Sequence, residues 1–147
     1  MKVLNEMDMS FESRSCNESF ARSSVSAFIA QLDPTIGELN EIRTAVSEAV
    51  TNCIVHAYKN EIGRISINVK LLPDNAVVIR IKDNGCGIEN IKQAMEPLYT
   101  TAIGDERAGL GFAVMQSFSD SVSVRSRPQK GTTVTLKKTF SRRLCND

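Results

Sequence analysis

Apolar residues recur along the chain with two different periods, which separates predicted helices from predicted strands. Between residues 17 and 32 they recur every three or four positions, which predicts an amphipathic helix with Asn17 as its N-cap. Thr35 and Glu38 then stand three apart as a capping box, which predicts a second, long helix that ends at about Lys59. The apolar stripe of the first helix consists of Phe20, Val25, Phe28, Ile29 and Leu32.

Alternating apolar and polar positions dominate the rest of the chain. Residues 64–72 and 76–83 predict two strands joined by a tight turn at 73–75, where Pro, Asp and Asn follow one another. Residues 121–126 and 132–140 predict a second pair of strands, separated by another turn sequence. Neighbouring strands with short connections indicate antiparallel pairing.

Two weaker patterns complete the predicted set. Met7–Ser13 predicts an edge strand, and Gly109–Asp120 predicts a short helix that opens on glycines. Between the strand at 76–83 and this helix, residues 89–107 show no core strand. A connection of this length is usually either a functional lid or a disordered segment. The whole pattern predicts an α+β fold, a two-layer sandwich with helices on one face of a mixed, mostly antiparallel sheet. We expect one domain over residues 1–147.

Composition narrows the classes of function. The net charge of +1 argues against nucleic acid as a direct partner, although the basic tail at 137–147 is able to form a local patch. No apolar run is long enough to cross a bilayer, and the N-terminal residues lack the apolar core of a signal peptide, so we expect a cytoplasmic protein. The four cysteines are scattered without metal-ligand spacing, which argues against zinc and disulfides.

The predicted long helix carries three polar residues at one spacing. Glu48, Asn52 and His56 are four apart and form one stripe beside the apolar face of the helix. The ordinary explanation is a solvated helix flank, with His56 bonded to a backbone carbonyl at the rim. The functional alternative is that a carboxylate and an amide one turn apart hold a proton acceptor and a divalent ion, since Mg²⁺ prefers oxygen ligands.

A second motif follows the strand at 76–83. Asp83 begins a D-x-G-x-G sequence, and a carboxylate there would repel phosphate but accept a hydrogen bond from the exocyclic amine of a purine. Gly85 and Gly87 would let the base approach the backbone closely. A tight turn at the end of the strand explains the same glycines without a ligand.

Two further signals are weak when taken alone. Gly109 and Gly111 precede an apolar helix, and free backbone N–H groups at a helix start form an anion site. The sequence of residues 131–134 places two threonines on the last strand, within reach of a base bound at Asp83.

The order of these motifs is more specific than its parts. E-x-x-x-N, D-x-G-x-G, a segment without regular pattern, G-x-G and G-T-T together resemble the GHKL ATPase module of gyrase, the Hsp90 chaperone, sensor histidine kinases and mismatch-repair MutL proteins. The resemblance spans about Glu38 to Leu136 and implies the Bergerat ATP-binding fold. Within the family, NESFAR, AQLDPT, SEAVTN and PLYTT are similar to anti-sigma factors that are also serine kinases, in particular the group that restrains the sporulation sigma factor F.

The resemblance implies a role for each motif residue. Glu48 would be the general base for the attacking hydroxyl, Asn52 would coordinate Mg²⁺, and Arg107 would join the catalytic set near the phosphates. A flexible lid at about residues 89–108 would close over the nucleotide, and Arg22 would contact partner proteins. The residues expected to contact ATP or ADP are Asn52, Asp83, Gly85, Gly87, Thr101, Gly109, Leu110, Gly111 and Thr133.

The family also implies partners. They are sigma factor F, an anti-anti-sigma antagonist protein phosphorylated on serine, and a second copy of the chain in a homodimer; no nucleic acid or membrane is implied. Ala102 stands where relatives often carry Lys, and the glycines after the lid are fewer than in histidine kinases, which leaves rate and affinity open. The alternatives are a stress-response anti-sigma kinase of the same subgroup and a non-catalytic nucleotide-sensing module. A histidine kinase or a DNA-linked ATPase fits poorly, because the chain has no phosphoacceptor helix and no room for a transducer domain.

Overall fold

A computed structural model describes residues 2–59, 61–88 and 111–141. In the described part, five strands form one sheet in the order β1-β2-β3-β5-β4, and three α-helices lie against it. All four strand pairings are antiparallel. The predicted α+β fold is confirmed. The elements are β1 Asn5–Glu12, α1 Asn17–Ile29, α2 Ile36–Asn52, β2 Arg64–Leu72, β3 Ala76–Asp83, α3 Gly111–Phe118, β4 Ser121–Arg127 and β5 Gly131–Thr139.

The central hairpin has the bounds that the sequence predicts. Its two strands are β2 and β3, with Leu72 opposite Ala76 across the turn. Asp74 and Asn75 have φ of +67° and +58°, a backbone conformation that these two residue types tolerate better than most. The side chains of β3 alternate, with Val77, Ile79 and Ile81 buried and the residues between them more exposed. Asp83 therefore also faces the covered side of the sheet.

The start of α2 confirms the predicted capping box. The Thr35 hydroxyl accepts from the Glu38 N–H at 3.1 Å, and the Glu38 carboxylate accepts from the Thr35 N–H at 2.9 Å. The α-helix ends at Asn52 and continues as one wide π-helical turn over Cys53–Ala57. The helical path thus ends close to the predicted Lys59, but with a change of geometry in its last turn.

The start of α1 differs from the prediction. Cys16 precedes the helix, and Asn17 is its first residue rather than its cap. The Asn17 side-chain amide donates to the Glu12 carbonyl at 2.9 Å, so the Asn17 side chain is bound to the end of β1. The prediction of an N-cap at Asn17 was wrong because this tertiary contact satisfies the side chain.

The core lies between the helices and one face of the sheet. α2 packs between α1 and α3, and its apolar side is fully buried. The other face of the sheet is polar, and β1 lies at one edge as predicted for Met7–Ser13. The core side chains contributed by α2 are Ile42, Ala45, Val46, Ala49 and Val50.

Candidate functional site

A buried carboxylate stands at the end of β3. Asp83 is only 4% exposed, and its Oδ1 accepts from the Gly85 N–H at 2.9 Å and the Thr132 N–H at 3.3 Å. The buried thiol of Cys53 also hydrogen-bonds to the Asp83 carboxylate. Burial raises the pKa of Asp83, and the three hydrogen bonds offset that shift in part. A carboxylate has about four acceptor positions, so three donors leave capacity for one more.

The loop after Asp83 is held by the wide turn of α2. The Cys86 N–H donates to the Ala57 carbonyl at 3.0 Å, and the Cys86 thiol donates to the His56 carbonyl at 3.3 Å. Single π turns inside helices occur frequently at functional sites, and here the turn presents its carbonyls to the loop. A Cβ on Gly85 would lie 2.4 Å from the Ala57 carbonyl oxygen, so only glycine fits there.

The far end of the loop is held by the β4–β5 turn. Gly87 has φ of +76°, and a Cβ there would lie 2.1 Å from the Arg127 carbonyl oxygen. The Gln129 N–H donates to the Cys86 carbonyl at 2.6 Å, and the Ile88 N–H donates to the Ser126 hydroxyl at 2.7 Å. The two motif glycines are thus required by close packing of the loop itself. Approach of a base to them stays a prediction.

Tyr58 connects the helix, the loop and β2. Its hydroxyl accepts from the Asn84 N–H at 2.7 Å and donates to the Arg64 carbonyl. Its ring packs over Gly63, where a Cβ would lie 2.1 Å from the ring. Burial raises the pKa of Tyr58, so the phenol stays protonated and keeps both hydrogen bonds at neutral pH.

Glu48 and Asn52 converge on the first residue of α3. A Cβ built on Gly111 would lie 3.2 Å from both Oδ1 and Nδ2 of Asn52 and 3.5 Å from Oε2 of Glu48. Both side chains are half-buried, and α2 packs against α3 at this point. The missing side chain of Gly111 leaves a small space beside a carboxylate and an amide, at the start of a helix of eight residues.

The structure brings together part of the predicted set. Glu48 and Asn52 meet at Gly111, while Asp83, Gly85 and Gly87 form the loop between α2 and the β4–β5 turn. Arg22 lies away from these on α1, where it forms an ion pair with Glu18 at 3.6 Å. The predicted lid and the residues Thr101, Arg107, Gly109 and Leu110 lie outside the described residues.

Thr133 is not part of this cluster. It pairs with Lys82 and Arg125 in the sheet, so its side chain is on the face opposite to Asp83. Thr132 pairs with Asp83 and is buried beside it. The strand hydroxyl near the carboxylate is therefore that of Thr132. The sequence contains the pair of threonines, but the choice between them depends on the register of β5.

Sequence reasoning also missed the residues that support Asp83. Cys53 begins the π turn that follows α2, Tyr58 follows that turn, and Ser126 lies on β4. Cys53 follows the apolar spacing of the helix and gives no separate signal. Tyr58 and Ser126 act on backbone groups that are close only in the folded chain.

The donor set fits a nucleotide and one Mg²⁺. Asn52 supplies an amide oxygen, and Mg²⁺ usually keeps several waters beside one or two protein oxygens. In the described residues no three His, Cys, Asp or Glu side chains cluster as a complete metal cage. The space that a Cβ on Gly111 would fill is consistent with close approach of a ligand to Asn52 and Glu48. Among those residues there is also no helix long and apolar enough to span a membrane.

Comparison with known proteins agrees with this geometry. A model of the histidine kinase-like ATPase domain matches residues 11–138. The chain is 55% identical over 142 residues to an anti-sigma F factor of Caldanaerobacter subterraneus, covering 97% of this chain and 99% of that protein. It is 52% identical over 144 residues to an anti-sigma F factor of Geobacillus thermodenitrificans, covering 97% and 99%.

Solved structures show the same fold. The chain superposes on a structure of the RsbU and RsbW domains of a Mycobacterium tuberculosis protein with a TM-score of 0.70 and 18% identity. That match covers 95% of this chain but only 33% of the other. A blue-light activated histidine kinase of Erythrobacter litoralis gives a TM-score of 0.58 at 17% identity, over 80% of this chain and 40% of that one.

The fold and the site define an ATPase domain of the histidine kinase type, which implies that ATP or ADP is its nucleotide. The chain belongs to the histidine kinase-like ATPase family and, within it, to the anti-sigma F factors.

Proposed function

We propose that the chain is an anti-sigma factor and an ATP- and Mg²⁺-dependent protein serine kinase. It would bind the sporulation sigma factor F and phosphorylate an anti-anti-sigma antagonist protein on serine. The observation that carries the kinase activity is the convergence of Glu48 and Asn52 on Gly111. The names of the relatives support the sigma factor as partner.

The chemistry assigns a separate task to each end of the site. Asp83 binds the adenine amine, since its carboxylate is buried and has acceptor capacity left. Glu48 accepts the proton of the substrate serine hydroxyl, whose oxygen then bonds to the γ-phosphorus of ATP while the bond to the β-phosphate oxygen breaks. Phosphoryl transfer depends mostly on positioning and on neutralising charge. Mg²⁺ held by Asn52 would supply part of that neutralisation.

Other parts of the proposal lie outside the described residues. Thr101, Arg107, Gly109 and Leu110 would approach the phosphates, and the lid at about residues 89–108 would exclude water when it closes. A cytoplasmic homodimer would hold the sigma factor through a surface that includes Arg22. The antagonist would displace the sigma factor, and its phosphorylation would restore inhibition.

The direct test is incubation of the purified chain with γ-labelled ATP, Mg²⁺ and the candidate antagonist. We expect label on an antagonist serine with wild type and none with Glu48→Gln, which should still bind nucleotide. Glu61→Gln is the matched control, because Glu61 is exposed and lies on the loop before β2. Transfer retained by Glu48→Gln would remove Glu48 from the role of base.

The second candidate function is a nucleotide-sensing module without transfer. It would be supported by nucleotide binding and sigma-factor binding with no label on any antagonist. Side-by-side pull-down with sigma factor F and a stress-response sigma factor would assign the partner.

A further inference from the structure

The outer face of the sheet, opposite the helices, is strongly cationic. On β2, β3, β5 and β4 the outward positions carry seven Lys or Arg side chains and no carboxylate. The only acidic residue on these four strands is Asp83, which faces the helices. The seven cations are Arg64, Lys70, Arg80, Lys82, Arg125, Arg127 and Lys137.

Register shows which of these cations have an acidic neighbour. Glu6 of β1 is directly opposite Lys70, and Glu12 is directly opposite Arg64. Lys137 is opposite Val78 and Ser121, where β4 begins. The other four also have no carboxylate opposite them in the sheet, and they lie together on β3 and β4. We name these four, Arg80, Lys82, Arg125 and Arg127, the outer cationic patch.

The patch is compact and exposed. Lys82 is opposite Thr133, and Thr133 is opposite Arg125, so that a hydroxyl lies between two cations in one row across the sheet. Arg80 and Arg127 flank this row, each two positions along its strand from Lys82 or Arg125. All four cations are exposed, and no ion pair within 4 Å forms at any of them among the described residues. Strands lie about 4.8 Å apart, so the row is about 10 Å wide.

The whole chain has a net charge of only +1, so acidic residues elsewhere balance these cations. Among the described residues, acidic side chains lie on the edge strand β1 of this same face, at Glu6, Asp8 and Glu12, and on the helical layer, at positions such as Glu18, Glu38 and Glu41. The carboxylates of the outer face are therefore confined to β1, whereas the four cations of the patch lie on β3 and β4.

We propose that the outer cationic patch binds a carboxylate-rich segment of a partner protein. Arg guanidinium groups bind carboxylates in pairs of hydrogen bonds, and the Thr133 hydroxyl adds a donor between Lys82 and Arg125. Single-stranded nucleic acid is less suited, because the outward positions of the five described strands carry no aromatic side chain for stacking of bases. A second copy of the chain is less suited as well, since dimer interfaces are usually more apolar than this face.

The test is fluorescence anisotropy with a labelled peptide of about ten residues rich in Asp and Glu. Its control is the same peptide with Asn and Gln in their place. We expect salt-sensitive binding of the acidic peptide only, weakened about five- to tenfold by Arg80→Gln with Lys82→Gln and Arg125→Gln. The control variant, matched in the number of charges removed, is Arg64→Gln with Lys70→Gln and Lys137→Gln, which removes three cations of the same face outside the patch and should change affinity less than twofold.

Three outcomes would overturn the proposal. They are absence of peptide binding to the wild type, equal binding by the two variants, and tighter binding of a mixed-sequence single-stranded DNA that is lost in the triple variant. The last would assign the patch to nucleic acid. Nucleotide binding and thermal unfolding of each variant, measured in parallel, show that the fold and the nucleotide site remain.

Discussion

The hydroxyl oxygen of Tyr58 lies 2.7 Å from the backbone nitrogen of Asn84 and accepts its hydrogen bond. Through this contact the end of the helix that carries Glu48 and Asn52 is joined to the loop that begins at Asp83. The two halves of the proposed nucleotide site are therefore held in one arrangement by a side chain that neither motif includes.

Tyr58→Phe tests this connection. The substitution keeps the ring over Gly63 but leaves the Asn84 N–H and the Arg64 carbonyl without the hydroxyl. We expect a loss of about 1–3 kcal/mol in the free energy of unfolding and weaker nucleotide binding, because two part-buried hydrogen bonds, each contributing about 0.5–1.5 kcal/mol, are lost. Urea unfolding and nucleotide titration measure the two effects. Wild-type values in both would show that the hydroxyl does not support the loop.

Gly111→Ala tests the space between Glu48 and Asn52. The added Cβ, 3.2 Å from the Asn52 amide, would displace that side chain, so we expect nucleotide affinity to fall by about tenfold or more with the fold retained. Gly37→Ala is the control, because its Cβ meets nothing closer than 3.9 Å. That variant should bind nucleotide normally and gain up to about 1 kcal/mol of stability. Normal binding by Gly111→Ala would place the nucleotide elsewhere.

Asp83→Asn tests the buried carboxylate, with opposite effects on stability and binding. Because burial raises the pKa of Asp83 in the folded chain, the ionised group costs stability as pH rises through that pKa. The variant should therefore resist urea better than wild type at neutral pH, and the difference should shrink at acidic pH. It should bind ADP about tenfold more weakly or worse, since its amide also presents donors to the adenine amine.

The pH dependence of ADP binding separates this carboxylate from the phosphates of the nucleotide. The affinity of the wild type for ADP should fall as the pH is lowered, because protonated Asp83 loses acceptor capacity. The fall should begin at a pH above the ordinary pKa range of Asp, since the pKa of Asp83 is raised. For Asp83→Asn, only ionisation of the phosphates should contribute to the pH dependence of ADP binding. Parallel pH profiles for the two proteins would rule out Asp83 as the adenine contact.

Glu38→Gln tests the start of α2. Burial by itself raises the pKa of Glu38, but the hydrogen bonds from Thr35 and Ser141 together lower it by a larger amount, so the net shift is downward. Its stabilising contribution is therefore present above pH 4.5 and lost as pH falls through the lower, folded value. We expect a loss of about 0.5–1.5 kcal/mol at pH 7 by urea unfolding, because a Gln carbonyl replaces one carboxylate oxygen but its NH₂ group cannot accept the hydrogen bond from the Ser141 N–H. A difference in stability between wild type and Glu38→Gln that persists in strong acid would contradict an origin in the ionised carboxylate. The double variant Thr35→Ala with Glu38→Gln measures the coupling free energy between the two side chains.

Local patterns were sufficient wherever a feature depends on neighbours in sequence. The bounds of β2 and β3, the turn between them and the Thr35–Glu38 capping box were all predicted, because period, turn residues and cap spacing are local properties. The placement of Asp83 at the end of a strand followed for the same reason.

Features that depend on packing were not predicted. Asn17 was assigned as a cap, but it is held by the Glu12 carbonyl. The wide turn after Asn52 forms where the loop after β3 presses against the helix end, and no residue pattern announces it.

By itself, then, the sequence determined the helices, the strands, the polar stripe from Glu48 to Asn52 and the order of the glycine motifs. The tertiary structure decided that Thr132, rather than Thr133, lies beside Asp83, because strand register chooses the face on which a side chain lies. It also decided which cations of the outer face remain without a carboxylate opposite them. The physical reason is the same for both: contacts between strands depend on the pairing of distant segments, which a local pattern does not contain.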